Sequence, residues 1–301
     1  MSTDKPDYLI LGANGQVGRE LTRAMQLLGR GKALGRAECD LSKPGVAASI
    51  IKDLCPKIVV NAAAWTAVDQ AEKMMDQARR INADAVAEIA TACVQQNAVL
   101  VHYSTDYVFA GAGDTAYRIN DDVAPQSVYG QTKLEGERAI AAAGTRALIL
   151  RTSWVYAAHG HNFVRTMLRL GRERDHLKVI NDQIGAPTWA ATIADATALA
   201  LHGWRQRDWD ERDAGLYHLT SSGSVSWHGL AVAVFEEAAA LGLMEPSQIP
   251  HVEAIPSSDY PQPAPRPGNS RLDTSVFEDT FDLRLPCWRD ALRTCLRSFK
   301  D

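Results

Sequence analysis

Short apolar runs alternate with helical patterns over the first 155 residues, and this alternation limits the fold more than any other feature. The predicted strands span residues 8–11, 33–34, 57–61, 98–103 and 147–151. The predicted helices between them span residues 17–28, 76–96 and 128–143. Continuous apolar strands separated by helices are typical of a parallel sheet that is covered on both faces. The sequence therefore predicts an α/β protein built on a doubly wound parallel sheet.

The alternation becomes irregular after residue 155. Predicted helices span 162–170, 192–202 and 227–241, and predicted strands span 178–180 and 215–219. Five prolines between residues 255 and 269 predict a fixed loop, because proline stiffens the backbone and removes its N–H donor. We expect one domain over residues 1–155 and a smaller α/β lobe mainly over residues 156–301, with later segments returning to the first domain.

Charge and cysteine content exclude several classes of protein. The formal net charge is −4, which argues against nucleic acid as a partner, since phosphate binding needs a basic surface. No run of about 18 apolar residues and no signal peptide occurs, so no membrane partner is expected. The 5 cysteines are odd in number and form no C-x-x-C pair, which predicts reduced thiols and a cytoplasmic protein.

A glycine-rich turn directly follows the first predicted strand and opens the first helix. Its pattern is Gly12-x-x-Gly15-x-x-Gly18. Glycines allow a tight turn and close backbone approach, and the helix N-terminus offers N–H groups to a pyrophosphate. The pattern predicts dinucleotide binding in a Rossmann-like domain. The residues expected to hold the cofactor here are Gly12, Asn14, Gly15, Gln16, Val17 and Gly18.

The end of the second strand indicates which dinucleotide is bound. An NAD site usually carries an acidic residue there for the ribose 2′-hydroxyl, whereas this sequence has Arg36, which can pair with a 2′-phosphate. We therefore expect NADPH, with NADH as a second option; the alternative is that Arg36 is a solvated surface charge. Asp40 and Leu41 are expected to contact the adenine. Small side chains at Ala63 and Ala64 let the cofactor lie close to the sheet.

A tyrosine and a lysine one helical turn apart carry the predicted chemistry. Tyr129 and Lys133 form a Y-x-x-x-K pair on one helix face. A nearby ammonium favours the phenolate and lowers the pKa of the phenol, so Tyr129 can pass a proton to a carbonyl oxygen. Lys133 can also hold the hydroxyls of the nicotinamide ribose. Thr105, at a strand end, is expected to hydrogen-bond the substrate oxygen.

With these motifs in order, the sequence resembles the extended short-chain dehydrogenase/reductase family and, within it, the dTDP-4-dehydrorhamnose reductase family. The motifs that carry the resemblance lie at residues 12–18, 61–69, 103–109, 129–133, 151–156, 181–188 and 266–272. The resemblance implies NADPH-dependent reduction of the 4-keto group of dTDP-4-dehydro-6-deoxy-L-mannose to dTDP-L-rhamnose. The implied partner is therefore a dTDP-sugar.

The resemblance also assigns roles to residues. Tyr129 is the implied proton donor, Thr105 tunes it, and Lys133 serves the cofactor. Those implied to line the cofactor are Tyr103, Ala63, Ala64 and Trp65. Those expected to contact the sugar nucleotide are Ser104, Thr105, Asp106, Tyr129 and Trp154.

Two further polar residues are candidates for substrate binding. Asn162 opens a predicted helix and is expected to cap it, with a contact to the sugar or diphosphate as a second hypothesis. Arg266 can clamp a diphosphate because a guanidinium pairs bidentately with phosphate oxygens; a surface salt bridge is the alternative.

This sequence departs from the family pattern at three places. Trp65 stands where the family commonly has histidine, and Gly35 stands where some members carry an aspartate. Residues 185–192 lack the acidic residue expected to hold a bridging metal. We therefore expect no metal requirement and a monomer or a homodimer formed without metal.

Two other functions fit part of the pattern. One is a different nucleotide-sugar reductase, epimerase or dehydratase on the same scaffold; a dehydratase needs a second acid after Thr105-Asp106, where Tyr107 stands instead. The other is a reductase-like regulatory subunit of methionine adenosyltransferase. The presence of Thr105, Tyr129 and Lys133 together favours catalysis.

Overall fold

The computed structural model of the chain describes residues 5–299. Its strands are β1 Tyr8–Leu11, β2 Gly31–Leu34, β3 Ile58–Asn61, β4 Val99–Thr105, β5 Ala147–Thr152, β6 Val155–Tyr156, β7 His176–Ile180, β8 Ile184–Gly185, β9 Thr188–Trp189, β10 Gly215–His218, β11 Val225–Ser226, β12 His251–Ile255 and β13 Asn269–Ser270. Its α-helices are α1 Gln16–Ala24, α2 Val46–Leu54, α3 Val68–Ala71, α4 Met75–Arg79, α5 Ala85–Gln95, α6 Val128–Ala143, α7 Phe163–Glu173, α8 Ala190–Gln206, α9 Trp227–Ala240, α10 Ser275–Phe281 and α11 Trp288–Arg297.

A six-stranded sheet lies at the centre, with the spatial order β10-β5-β4-β3-β1-β2. All neighbouring strands in it are parallel. The register pairs Leu11 with Asn61 and Asn61 with His102, so β1 and β3 end at the same level and β4 continues beyond them to Thr105. The strand order reverses at β1, and ligands of such sheets bind in the crevice outside the carboxyl ends at that point. The predicted doubly wound α/β fold is confirmed.

The two faces of the sheet carry separate apolar clusters because successive side chains of a strand point to opposite faces. Ile10 and Val60 belong to the cluster that packs against α1 and α8. Leu9 and Val59 belong to the cluster that packs against α2 and α5. All of these strand side chains are buried. Covering both faces explains why the strands are apolar throughout, without alternating polar positions.

Several elements differ from the predicted ones. The helix predicted over 76–96 is α4 and α5 joined by a π-helical turn, Arg80–Asp84. The helices α2 and α10 were not predicted, and β7 begins earlier than expected because it pairs along its whole length with β12. That pairing joins segments far apart in the chain, so the local pattern predicted only residues 178–180 of β7 and did not predict β12.

Later segments return to the central sheet, as the domain expectation allowed. β10 pairs with β5 at the edge of the sheet, and α8 packs against α1. A third apolar cluster joins α7, α9 and α11 beside the β7–β12 pair. Residues 1–4 and 300–301, the outer ends of the two expected domains, lie outside the described residues. Among the described helices, none is long and apolar enough to cross a membrane.

The first prediction concerns the glycine turn. A Cβ at Gly18 would lie 2.1 Å from the Gly12 carbonyl oxygen, a backbone atom that cannot move aside without opening the turn. We expect Gly18→Ala to lower the free energy of unfolding by about 1–3 kcal/mol, the usual range for overpacking, in urea denaturation. Gly203→Ala is the matched control, since the nearest atom to its Cβ is the flexible Arg207 Nη1 at 3.5 Å. Equal losses in both variants would contradict the prediction.

Candidate active site

The glycine turn after β1 is closed on itself. Gly12 has a φ of +85°, and a Cβ there would lie 2.7 Å from the Ala63 backbone nitrogen. Gly15 precedes α1 and provides no side-chain cap for its first N–H groups. The turn therefore leaves both room and uncapped donors at the N-terminus of α1, and this cradle fits a dinucleotide pyrophosphate.

The end of β2 carries the predicted cofactor-selecting cation. The Arg36 side chain is 80% exposed and lies 3.6 Å from Asp40. Asp40 also accepts hydrogen bonds from Ser42, while Leu41 is buried beneath it. This weak pairing leaves the Arg36 guanidinium free to reach a ligand.

An acidic residue that sequence reasoning missed also lies at this strand end. Glu38 Oε2 accepts the Gly35 N–H at 3.0 Å, so the carboxylate is held by the backbone. A Cβ at position 35 would lie 2.3 Å from Asn14 Nδ2. The Asn14 amide therefore occupies the space that a side chain at position 35 would need.

The segment after β3 is held from two sides. Asn61 Oδ1 accepts the Ala63 N–H at 3.2 Å. Asn82, in the π-helical turn, bonds both backbone groups of Trp65: its Oδ1 accepts the N–H at 2.8 Å and its Nδ2 donates to the carbonyl at 3.1 Å. Ala64 lies between these two anchors. No sequence signal pointed to Asn82, because its role depends on a turn that the helical pattern did not reveal.

Tyr129 lies in the first turn of α6, which begins after the capping residue Ser127. Its ring makes an edge contact with Tyr107, with centroids 5.4 Å apart. Burial raises the pKa of Tyr129 to about 12, and a hydrogen bond with Thr105 partly opposes that rise. The sequence predicted a phenol whose pKa is lowered by Lys133. That prediction was wrong for the cofactor-free protein, because burial raises the pKa and Thr105, not Lys133, is the group that opposes the rise.

Lys133 is turned away from the phenol and into the sheet edge. Its Nζ lies 3.1 Å from His102 Nε2 and donates to the Tyr103 carbonyl at 2.6 Å. The side chain is 2% exposed. Burial lowers the pKa of Lys133 to about 8, and Glu137, one turn later on α6, acts in the opposite direction. The amine is thus fixed in position before any ligand arrives.

Two residues predicted to contact ligands use their side chains inside the protein. The Ser104 hydroxyl donates to Glu137, whose carboxylate forms a buried, two-point ion pair with Arg151. The Tyr103 hydroxyl bonds Thr197 Oγ1 at 2.8 Å inside an apolar cluster. Their ligand-contacting roles stay predictions, and the structure gives both hydroxyls structural partners that the sequence did not reveal.

Thr105 and Asp106 end β4 beside Tyr129. The Thr105 hydroxyl donates to Asp106 Oδ1 at 3.0 Å, and Ser270 Oγ donates to Asp106 Oδ2 at 2.5 Å. Burial raises the pKa of Asp106 to about 6, and the hydrogen bonds from Ser270 and Thr105 limit the rise. The carboxylate thereby orients the threonine hydroxyl at the mouth of the site.

A cavity of about 680 Å³ adjoins this edge of the sheet. Its lining includes Tyr107, Phe163, Lys178, Gln183, Trp227 and Arg266. Trp154 stacks on Trp227 with centroids 3.6 Å apart, and this contact brings the predicted Trp154 beside the cavity. Except for Arg266, these lining residues were missed, because the contacts that form the cavity join segments distant in the sequence.

Two polar contacts connect the elements around the cavity to the central sheet. Asn162 caps α7, as predicted, and its Nδ2 donates to Gln16 Oε1 of the glycine-turn helix at 2.8 Å. Arg266 donates to Asp69 Oδ2 at 2.8 Å, and the Ala264 N–H donates to the other oxygen of Asp69. The proline-rich loop is therefore anchored to the segment after β3. Among residues 5–299, no cluster of three or more His, Cys, Asp or Glu side chains is arranged to hold a metal ion.

A glycine turn at the switch point of a parallel sheet, a strand-end threonine, and a tyrosine and lysine on the next helix define a dinucleotide-dependent oxidoreductase of the extended short-chain dehydrogenase/reductase class. Comparison with known proteins narrows this class. The sequence model described as RmlD substrate binding domain matches residues 7–300. The chain belongs to the dTDP-4-dehydrorhamnose reductase family, and the resemblance seen in the sequence is confirmed.

Individual relatives agree with that assignment. The dTDP-4-dehydrorhamnose reductase of Burkholderia thailandensis is 46% identical over 290 residues, covering 96% of this chain and 97% of the relative. That of Salmonella typhimurium is 46% identical over 294 residues, with the same two coverages. The crystal structure of the Bacillus anthracis reductase in complex with NADP has a TM-score of 0.88 and 30% identity, covering 98% of this chain and 100% of that one. These relatives favour the reductase hypothesis over the epimerase and regulatory-subunit alternatives.

The second prediction concerns Asp106. Because the pKa of the folded carboxyl is about 6, above its ordinary 3.8, the folded state binds the proton more tightly. The stability contributed by Asp106 is thus present at low pH and lost as the pH rises from about 4 to 6. We expect the stability of Asp106→Asn, relative to wild type, to rise by roughly 2–3 kcal/mol between pH 4 and pH 7 in urea denaturation.

Asp273→Asn is the control for this measurement. Hydrogen bonds from Ser275 lower the pKa of Asp273, so that carboxyl titrates below the same pH window. The relative stability of Asp273→Asn is expected to show no rise between pH 4 and pH 7. If the relative stability of Asp106→Asn did not change between pH 4 and pH 7, folding would not raise the pKa of Asp106, contrary to the prediction.

Proposed function

We propose that the chain catalyses the NADPH-dependent reduction of the 4-keto group of dTDP-4-dehydro-6-deoxy-L-mannose, giving dTDP-L-rhamnose. One observation carries the proposal: the Tyr129 ring packs against Tyr107, which lines the large cavity, and shares an apolar cluster with Trp65 of the segment after β3. A proton donor in that place can serve a carbonyl that lies between a dinucleotide and a nucleotide sugar. The family membership of the chain supports the same reaction.

The dinucleotide is proposed to lie along the carboxyl ends of β2, β1 and β3. The residues that would hold it are Gly12, Asn14, Gly15, Gln16, Val17, Gly18, Arg36, Asp40, Leu41, Ala63, Ala64, Trp65 and Lys133. When bound, NADPH supplies the hydride. The uncapped N–H groups of α1 would bind the pyrophosphate, and Arg36 would bind the 2′-phosphate.

Tyr129 acts as the general acid. Because burial raises its pKa to about 12, the phenol is fully protonated at neutral pH and holds the proton that the reduced oxygen needs. The Thr105 hydroxyl is oriented by Asp106 and acts against burial by lowering the pKa of the phenol. As negative charge develops on the substrate oxygen, Tyr129 donates its proton there, and an ammonium form of Lys133 would stabilise the phenolate left behind.

The nucleotide sugar is proposed to occupy the cavity beside Tyr107. Trp227, stacked on Trp154, and Phe163 offer flat apolar surfaces for a base. Arg266 is oriented by Asp69 and would bind the diphosphate. The elements around β7 and β12 are thus proposed to form the substrate-binding lobe, and a dTDP-sugar is the proposed partner.

Turnover of a defined keto sugar tests the function. The protein is supplied with NADPH and dTDP-4-dehydro-6-deoxy-L-mannose, and consumption of NADPH is followed by its absorbance. We expect turnover with this sugar and identify the product by its mass and by comparison with dTDP-L-rhamnose. Consumption with another dTDP-4-keto-6-deoxyhexose alone would overturn the substrate assignment. No turnover, together with capture of methionine adenosyltransferase, would support the regulatory-subunit alternative.

The third prediction concerns the proton donor. Tyr129→Phe keeps the ring and its packing against Tyr107 but removes the acidic proton. We expect kcat to fall by about 10²–10⁴-fold, with little change in the Kd for NADPH. Tyr117→Phe is the control, since it makes the same chemical change where Tyr117 stacks on Phe109. Turnover near the wild-type rate in Tyr129→Phe would show that another group donates the proton.

The fourth prediction concerns cofactor choice. We expect Arg36→Ala to weaken NADPH binding by about 1.5–3 kcal/mol, the range for a hydrogen bond to a charged group. NADH lacks the 2′-phosphate, so its Kd should be nearly unchanged and serves as the internal control. Titration of each cofactor into both proteins measures the difference. Equal losses for the two cofactors would assign Arg36 a role in the fold or at the shared pyrophosphate.

A further inference from the structure

A continuous chain of hydrogen bonds runs beneath the site from the backbone to Lys133. The Ala63 N–H donates to Asn61 Oδ1 at 3.2 Å, and Asn61 Nδ2 lies 3.2 Å from His102 Nδ1. The other ring nitrogen, Nε2, lies 3.1 Å from Lys133 Nζ. Sheet register creates the first contact between side chains, because Asn61 of β3 lies opposite His102 of β4. His102 is 0% exposed, so no solvent substitutes for either partner.

The order of donors along this chain determines where the protons are. Asn61 must present Oδ1 to the Ala63 N–H, so its Nδ2 donates to His102 Nδ1. A neutral imidazole that accepts at Nδ1 carries its proton at Nε2. That N–H then points at Lys133 Nζ, which can accept it through the lone pair of an uncharged amine.

An ammonium at Lys133 does not fit this arrangement. It would place an N–H⁺ against the His102 N–H unless the imidazole changed tautomer and the Asn61 amide turned over. The turned amide would leave the Ala63 N–H without its acceptor, and an unsatisfied buried donor is costly. In the structure as it stands, every member of the chain is satisfied when Lys133 is uncharged.

Some groups around Lys133 favour its ammonium form, and others favour the uncharged amine. From β4, the Tyr103 carbonyl accepts from Nζ in either charge state. On α6, the Glu137 carboxylate favours the ammonium, but Arg151 of β5 forms an ion pair with that carboxylate at 2.7 Å. Burial and the neighbouring amine lower the pKa of His102 well below 6.5, so the ring is neutral. Burial likewise lowers the pKa of Lys133 to about 8.

We propose that His102 is a positioning residue that fixes the Lys133 amine and favours its uncharged form, so that a dinucleotide binding to that form draws a proton onto Lys133 from solvent. The proposal rests on the proposed function, in which Lys133 holds the nicotinamide ribose and faces a polyanionic ligand. That ligand supplies acceptor oxygens and negative charge, both of which favour the ammonium. The cofactor itself would therefore charge the lysine that the proton donor needs.

The tautomer of His102 tests the proposal without cofactor or substrate. Ring ¹⁵N shifts of the histidine-labelled protein, with His102 assigned by its absence from His102→Gln, distinguish the two neutral forms. We expect the form with the proton on Nε2 at about pH 9, where Lys133 is mainly uncharged. If the His102→Gln variant does not fold, His102 is assigned through its couplings to the rest of the β4 backbone. A proton on Nδ1, or a charged ring, would overturn the proposal even if the protein proves to be an active reductase.

Proton uptake on NADPH binding is the second test and gives the fifth prediction. Calorimetric titrations in two buffers of different ionisation enthalpy count the protons taken up. Because the pKa of Lys133 is about 8 in the free protein, we expect close to one proton per NADPH at about pH 9 and little uptake at about pH 6.5. No uptake at the higher pH would overturn the proposal, whereas a failure to bind NADPH would count against the proposed function instead.

Replacing His102 or His218 by glutamine distinguishes the specific effect of His102 on Lys133 from the general effect of losing a buried histidine. The side-chain oxygen in His102→Gln can accept a hydrogen bond from an ammonium. We therefore expect Lys133 in this variant to be charged before NADPH binds. We expect proton uptake at about pH 9 to be lost and the alkaline limb of kcat/KM to move up by about one to two pH units.

His218→Gln is the matched control. His218 is also 0% exposed and ends strand β10, which lies two strands away from β4 in the same sheet, and its hydrogen bond goes to the Asp273 carbonyl and not to Lys133. It should keep the wild-type uptake and alkaline limb. Equal uptake by His102→Gln and wild type would overturn the proposal.

Discussion

Parallel pairing of β1, β3 and β4 is the constraint on which the site depends. The register brings the carboxyl ends of β1 and β3 to one level, so the glycine turn and the Asn61 amide lie together, and the Thr105 hydroxyl lies just beyond them because β4 continues past His102. The close contact between the turn and Ala63 allows no side chain at Gly12. A shift of register by one residue would move every strand-end group to the opposite face and separate the turn from the proton donor.

Several charged and polar side chains are buried at that edge, and hydrogen bonds between them offset much of the cost of their burial. Glu137 and Arg151 form a two-point ion pair that also accepts the Ser104 hydroxyl, and Asn61 and His102 link the backbone to Lys133. Desolvating a charge costs several kcal/mol unless it is paired, so these networks define one position for α6 relative to β4 and β5. The proton donor and its lysine are thereby placed by the interior of the protein.

A few polar contacts join the cavity side to the cofactor side. Asn162 reaches Gln16 of the glycine-turn helix, and Asp69 anchors Arg266 in the proline-rich loop. The first contact joins Gln16, which is proposed to bind the dinucleotide, to the helix α7 beside the cavity, and the second holds Arg266, which is proposed to bind the diphosphate, to the segment after β3. The same few side chains thus set the separation of the two ligands across which a hydride would pass.

The sequence by itself determined the parallel sheet, the glycine turn, the Tyr129–Lys133 pair and the family, because strand apolarity and the motifs are local patterns. It could not reveal Glu38, Asn82 or the Asp69–Arg266 contact, since each depends on segments that are distant in the chain or on an irregular turn. The pKa values of Tyr129 and Lys133, by contrast, were decided only by the tertiary structure. The raised pKa of Tyr129 and the lowered pKa of Lys133 follow from burial, and burial depends on what the rest of the chain packs around a side chain.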